Sequence, residues 1–452
     1  MSRSVGKSAS LGVVGRIFLP LARMAKRMDK IITPERLRIY PRIFLVGSVL
    51  GVTISTIVRI TDPRVQGVFM PDYLAHWTGG GLLLSGDIRH LYDPFTQHEF
   101  QRDAVGADVS LSWFVSMPAV AAFYVPLAAL PYTISGVVWL LVSTALLVGC
   151  TISLKSLAPR LMFRNQTNVI LAVLASPIVF EILGGGQDSA FILAVWLVGI
   201  RLLKNRNDGW AGALLGLGCA KPQLVVLVPL VLLATRNYRA LLSFASVGAM
   251  ILAISFGLVG VEGLSQWLSA LSSPLYTEQV QHGQSWKMVS LPSFVQAFLP
   301  EGWGSWITQI LPLLALPVGA AILIQRLHKV RKQQVDPQGI WIATLATTAV
   351  FSPHLVTYDA ILFVPVVIHL LEHRPSPVVR VASVAAFFLL WLVPVLYLAA
   401  AKLPWPLSVI DAPWSALPFA AIWFASLRAL GYPNPHLSER MEIPTRPPND
   451  MM

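Results

Sequence analysis

Lys221 sits in "WAGALLGLGCAKPQLVVLVPLVLLA", residues 210–234, a run that is otherwise almost all apolar, with Pro222 directly behind it. An ionisable group among aliphatic side chains is costly, and its presence points to a functional site. Three other places break the apolar pattern. Asp72 and His76 lie in "MPDYLAHWTGGGLLLSGDIRHLYDP", Gln187 follows three glycines in "GGGQD", and His354, Tyr358 and Asp359 lie in "SPHLVTYDA". Asp72 and His76 are four residues apart and would share one face of a helix. A carboxylate, an ammonium, an imidazole and an amide suit an anionic substrate with an apolar tail: tail in the bilayer, phosphate against Lys221 and His354, reactive head near Asp72. The carboxylate would take a proton from an incoming hydroxyl. The cation would stabilise charge developing on a departing phosphate.

Each residue also has a plainer reading. Asp72 follows Pro71 and suits a helix N-cap; Asp87 and Asp93 suit turns on a solvated loop. Gln187 would satisfy backbone groups around Gly184, Gly185 and Gly186, and His354 follows Pro353 where a helix ends. Asp359 would either orient His354 or pair with Lys221. Asp72 and His76 lack a third ligand at helical or loop spacing, so no metal site is expected. The glycine runs at 79–81 and 184–186 do not lie between a strand and a helix, which argues against a nucleotide-phosphate cradle.

The elements that must position these residues are membrane helices. Hydrophobic residues make up 55% of the 452-residue chain and charged residues 12%, and the mean hydropathy is +0.64, outside the balance of a soluble domain. The formal charge of +12 sits in short connectors beside apolar runs, the signature of an inner-face anchor on anionic lipid and not of nucleic-acid binding. Cys150 and Cys219 both lie within apolar runs and are read as packing residues. Residues 1–40 read as a cytoplasmic, basic, amphipathic segment on the membrane surface, residues 41–430 as the transmembrane domain, and 431–452 as a cytoplasmic tail.

The basic connectors "KSLAPRLMFR" (155–164), "RLLKNR" (201–206), "TRNYR" (235–239), "RLHKVRKQQ" (326–334) and "EHRPSPVVR" (372–380) belong inside, and the Asp-rich loop 61–112 outside. Both flanks of the Lys221 run are then cytoplasmic, so that run is a hairpin broken at Lys221 and Pro222. Each arm reaches about 18–20 Å, short of a ~30 Å hydrocarbon core, so the lysine lies below the outer surface. The expected spans are 41–60, 133–154, 167–184, 188–204, 209–220, 222–235, 238–260, 305–327, 338–352, 356–372, 378–400 and 409–430. The outer loops are 61–132 and 261–304, with 113–130 a juxtamembrane or re-entrant element.

At these residues the chain resembles glycosyltransferase family 87, membrane enzymes of the GT-C fold once described as a domain of unknown function. The resemblance is carried in order by "DYLAHWTGGGLLLSGDIRHLYDP", "FYVPLAALPY", "GGGQDSAFILAVWLVG", "AGALLGLGCAKPQLVVLVPLVLLATRNYRA" and "SPHLVTYDAILFVPVV", from residue 72 to about 366. It implies an all-α GT-C protein of about 12 transmembrane helices with a catalytic first outer loop. The implied activity is a cofactor-free, metal-independent, inverting transfer of a hexose, mannose foremost, from a polyprenyl-phosphate-linked donor to a glycan or glycolipid acceptor. The implied setting is a bacterial inner membrane, with membrane lipids around the chain and the active site facing the periplasm. Carried onto this sequence, Asp72 is the general base and Lys221 and His354 meet the donor phosphate. Gln187, His76, Tyr358, Asp359, Gln284 and Ser285 line the donor. The family's first-loop pattern often has an aromatic where this chain has His76. A lipid or sugar transporter, or an oligosaccharide ligase using a lipid-pyrophosphate donor, would also place polar residues in a helical bundle.

Overall fold

The computed structural model describes residues 23–61, 69–105, 109–276, 285–299, 305–330, 336–400, 403 and 406–430. Every regular element among them is helical, and their extended backbone pairs only at an isolated antiparallel bridge between Met288 and Val356. In chain order the helices are α1 (23–29), α2 (Pro34–Thr61), α3 (Pro71–Leu84), α4 (Pro94–Val105), α5 (Pro118–Ala128) and α6 (Tyr132–Ser153). Next come α7 (Pro159–Leu174), α8 (Pro177–Gly185), α9 (Ser189–Lys204), α10 (Asp208–Leu217), α11 (Val228–Ala234) and α12 (Tyr238–Leu271). The last six are α13 (Leu291–Gln296), α14 (Ser305–Val330), α15 (Pro337–Phe351), α16 (Phe363–His373), α17 (Pro377–Ala400) and α18 (Ala416–Ala429). Proline opens α2, α3, α4, α5, α7, α8, α15 and α17. At a first helical position its missing N–H costs nothing and its fixed φ is already helical, so these prolines set where helices start.

Among the described residues, four helices are long and apolar enough to cross a membrane: Tyr132–Ser156, Tyr238–Leu271, Leu313–Val330 and Pro377–Ala400. Their outward side chains are apolar, with Leu141 65% exposed and Leu398 69% exposed, a surface suited to lipid. The single straight span expected over 167–184 is instead a bent pair, α7 and α8, at 56° to each other. Ser176 is extended ahead of Pro177, as the residue before a proline is pushed out of the helical region. The expected span 356–372 opens as a 3-10 turn, Thr357–Leu362, before α16 begins. The run 409–430 likewise divides into a 3-10 turn, Leu407–Asp411, and α18. At fourteen residues, α18 is about 21 Å long, short of a ~30 Å core. The segment 113–130 forms α5, eleven residues long, against α3 and α12. The span expected over 238–260, with an outer loop from 261, instead runs on to Leu271 in α12, with a kink at Gly260, whose φ of 66° favours glycine.

The centre of the bundle is α15, buried throughout Trp341 to Phe351, with α9 beside it. Trp196 on α9 is fully buried and donates its indole N–H to the Leu224 carbonyl at 3.2 Å. The helix α10 packs closely on α12 through Gly212 and Gly216. A Cβ on Gly212 would lie 2.0 Å from the Ala240 carbonyl oxygen, and one on Gly216 2.9 Å from that of Phe244. This is the small-xxx-small device by which membrane helices bring backbones together. At the far end of the same pair, the Asn237 side chain caps α12 by accepting from Ala240 N and donates to Asp208 at 2.9 Å.

Candidate active site

The broken hairpin is present, with a shorter second arm than its apolar run suggests. A 3-10 turn, Gly218–Ala220, follows α10, Lys221 leaves the helical region at φ −123° and ψ 76°, and a second 3-10 turn, Pro222–Leu224, leads toward α11. Proline after Lys221 and the absence of a side chain on Gly218 make this geometry possible: a Cβ on Gly218 would lie 2.4 Å from Val225. The Lys221 ammonium is 17% exposed and forms an ion pair with Asp188 and a second, at 3.5 Å, with Asp359. Asp359 also accepts from the Ser189 hydroxyl at 2.6 Å. The Tyr358 ring centroid is 5.4 Å from the ammonium, within cation–π reach. Of the two plainer readings for Asp359, the ion pair with Lys221 is the one observed. An ammonium has three donors, so two carboxylates leave one direction for a further acceptor.

Asp188 was not among the expected site residues, although it directly follows Gln187. The signal for it is a counting argument: a buried ammonium needs a counter-charge, and an acid at the head of a neighbouring helix is the nearest supply. Gln187 is itself buried, and its backbone N–H closes α8 on the Ile182 carbonyl at 3.0 Å.

Asp72 occupies the first turn of α3, two residues after the cap position, which Met70 fills in a left-handed conformation. Its carboxylate therefore does not serve as the N-cap, although it gains from the helix dipole. It is half-buried, and no hydrogen bond from the described residues reaches it. One carboxylate oxygen occupies the space over Gly185, where a Cβ would lie 2.7 Å away. Gly186 ends α8 at φ 78°; a Cβ there would meet that of Tyr73 at 2.5 Å, while its carbonyl accepts from the Trp139 indole at 2.9 Å. The glycine run thus lets the end of α8 lie against the start of α3. The run at 79–81 does the same for α5: a Cβ on Gly80 would lie 2.8 Å from the Tyr124 backbone.

One turn along α3, His76 is buried and stacked on Tyr124 at 4.8 Å with 7° between the rings. His76 Nδ1, the Tyr124 hydroxyl and one Glu181 carboxylate oxygen are buried without a hydrogen-bond partner among the described residues. Orphaned buried polar atoms are rare and need a reason, of which a substrate site is one. His76 lies in the electrostatic field of Asp188, Lys221 and Asp72, and Tyr358 in that of Asp359, Asp72, Asp188 and Glu181.

His354 sits in a tight turn after α15, where the Ser352 hydroxyl donates to the His354 carbonyl at 2.9 Å. The Lys221 charge reaches it. The segment from Ser285, expected in the second outer loop, is tied to this turn: Val289 N donates to the Leu355 carbonyl at 2.9 Å, and the Thr357 hydroxyl to the Lys287 carbonyl at 2.9 Å. Gln284 lies outside the described residues, as does the side chain of Ser285, which opens the 3-10 turn Ser285–Lys287. Lys287, not singled out in the sequence, lies over the Trp286 ring at 5.2 Å and within the field of Glu181. Asp87 and Asp93 fit their turn readings: Asp87 contacts His90 at 2.6 Å, and Asp93 accepts from Thr96 N at 2.8 Å at the start of α4.

The break between α10 and α11, the heads of α3 and α9, the tail of α8 and the turn after α15 therefore bring Asp72, His76, Asp188, Lys221, His354, Tyr358 and Asp359 to one site. Residues 114–353 match the model of glycosyltransferase family 87. That segment contains Asp188 and Lys221, with Asp72 ahead of it and His354 and Asp359 just beyond. No curated protein and no solved structure matches the chain. The family match covers more than half of the sequence, and it joins an all-helical structure with several apolar, membrane-length helices. The chain belongs to glycosyltransferase family 87, and it is a multi-pass membrane glycosyltransferase.

Proposed function

We propose that the protein transfers a hexose, mannose foremost, from a polyprenyl-phosphate-linked donor to a glycan or glycolipid acceptor. The transfer inverts the anomeric configuration and takes place on the periplasmic face of a bacterial inner membrane. The observation that carries this reading is that Asp72, a carboxylate with no hydrogen bond from the described residues, and Lys221, a largely buried ammonium that still has a donor to offer, both act on His76. In the proposed step Asp72 removes the proton of an acceptor hydroxyl as its oxygen attacks the anomeric carbon, and the bond from that carbon to the polyprenyl-phosphate oxygen breaks. The negative charge left on the phosphate is met by the third Lys221 donor and by His354. Asp188 and Asp359 fix the ammonium in place, while His76, Gln187 and Tyr358 line the sugar side, with Gln284 and Ser285 supplied by the second outer loop. The reading carries with it a GT-C architecture of about 12 crossings, in which the shorter helices α10, α11 and α18 complete the bundle.

A donor screen with the purified protein tests the reading. Polyprenyl-phosphate-mannose is expected to be consumed, and the matching nucleotide-sugar left untouched. Transfer from the nucleotide-sugar alone would overturn the donor class.

A further inference from the structure

At the opposite end of α15 from His354, three side chains converge that the proposed reaction does not use. One ligand atom each from Asp336, His369 and His373 lies within 4.8 Å of the others. We propose that these residues form a binding site for a divalent transition-metal ion of the zinc class.

His369 and His373 are four apart on α16, which places both imidazoles on one helix face; their rings stack at 4.3 Å. Asp336 is the N-cap of α15, where one carboxylate oxygen accepts from Gln338 N at 3.1 Å. The other lies 3.8 Å from His369 Nε2, too far for a hydrogen bond. Ligands on a tetrahedral zinc, with bonds of about 2.0–2.1 Å, are spaced by roughly 3.4 Å. Small side-chain rotations close the observed triangle to that size.

The tautomers suit ligation as well. His373 Nδ1 lies 3.0 Å from the His369 carbonyl oxygen, which can only accept, so the proton is on Nδ1. Nε2 of His373 then carries the lone pair, and the carbonyl supplies the outer hydrogen bond that orients metal-bound histidines. His369 is 4% exposed, and its Nδ1 has no hydrogen-bond partner among the described residues. Its Nε2 faces Asp336 without a hydrogen bond to it, so that nitrogen is the one offered for coordination. Glu372 lies between the two histidines but is directed elsewhere, accepting from Arg160 N and Leu161 N at the start of α7. Lys204 is the nearby opposing charge. Asp336 and His373 are half-buried, which leaves water access to a fourth position. Two imidazoles and one carboxylate favour zinc, cobalt or nickel over calcium or magnesium.

The fifteen residues of α15 separate this cluster from the turn of His354 by about 22 Å, so the ion would take no part in the transfer step. It would join α15 to α16 at the end remote from the turn that carries His354 and Asp359. The test uses tag-free, full-length protein in detergent, titrated with Co²⁺ and then with Zn²⁺. The expected result is one equivalent of Co²⁺ giving visible absorption bands, displaced by Zn²⁺, with Zn²⁺ raising the melting temperature by a few degrees. His373→Ala and Asp336→Asn, each melting close to the metal-free parent, should weaken Co²⁺ binding at least tenfold and abolish the Zn²⁺ shift. No saturable Co²⁺ binding below about 1 mM, or undiminished binding in both variants, would overturn the proposal.

Discussion

Replacing Lys221 with methionine tests whether its ion contacts hold the site together. At 3.5 Å, a unit charge pair in a medium of effective dielectric near 20 attracts by about 5 kcal/mol before desolvation is counted. The side chains of Asp188 and Asp359 are only 14% and 3% exposed, so water cannot replace the ammonium. Breaking a buried pair from one side costs about 3–5 kcal/mol, and Lys221→Met should lose that much. Adding Asp188→Asn and Asp359→Asn should recover most of it, because no stranded charge remains. The measurement is equilibrium unfolding of the detergent-solubilised protein in mixed micelles, with single, double and triple variants compared as a cycle. A Lys221→Met protein as stable as the parent would refute the account of this cluster, as would a triple variant no better than the single one.

The close approach of α10 and α12 predicts that Gly212→Val destabilises by about 3 kcal/mol or more, since its side chain would meet the Ala240 carbonyl; a shift under 0.5 kcal/mol in the same assay would contradict it. At the other end of the chain Arg380 hydrogen-bonds both carboxylate oxygens of Asp29 and holds its carboxyl below the usual range against a smaller effect of burial. A depressed folded pKa means stability present above the ordinary value and lost as pH falls through the lowered one. Cleavage within residues 23–33 by an acid-active protease should therefore accelerate only below about pH 4, and Arg380→Gln should be cleaved readily already above that. Topology is checked by labelling with an impermeant maleimide. Phe95→Cys (parent residue 83% exposed) should react in intact cells and Phe163→Cys (86%) only after permeabilisation; the reverse would invert the orientation.

Much of the site was legible because charge is conspicuous in an apolar chain. Lys221, Asp72 and Asp359 stand out for that reason, and the break at Lys221 follows from its proline. Asp188 was hidden by its setting, since an acid at a helix start reads as an ordinary cap until the buried ammonium is asked for a partner. Lys287 was hidden because a lysine in an outer loop reads as solvated, and only the pairing of residues 287–289 with 355–357 draws its segment to the site. The Asp336, His369 and His373 cluster needs two elements to meet, which spacing along one helix does not reveal. Element existence followed from hydropathy, but the bend between α7 and α8 and the 3-10 opening before α16 did not. Composition marks an apolar run without saying whether its backbone stays helical, and the proline at 177 outweighs the length of its run.

The central claim is that Asp72 abstracts the acceptor proton, and single-turnover transfer from polyprenyl-phosphate-mannose by Asp72→Asn tests it most directly. The substitution keeps the shape of the side chain while removing the base, so the rate should fall by about 10²–10⁴-fold, equivalent to about 2.7–5.5 kcal/mol in the barrier, with donor affinity unchanged. An Asp72→Asn protein that transfers sugar at the parent rate would contradict it.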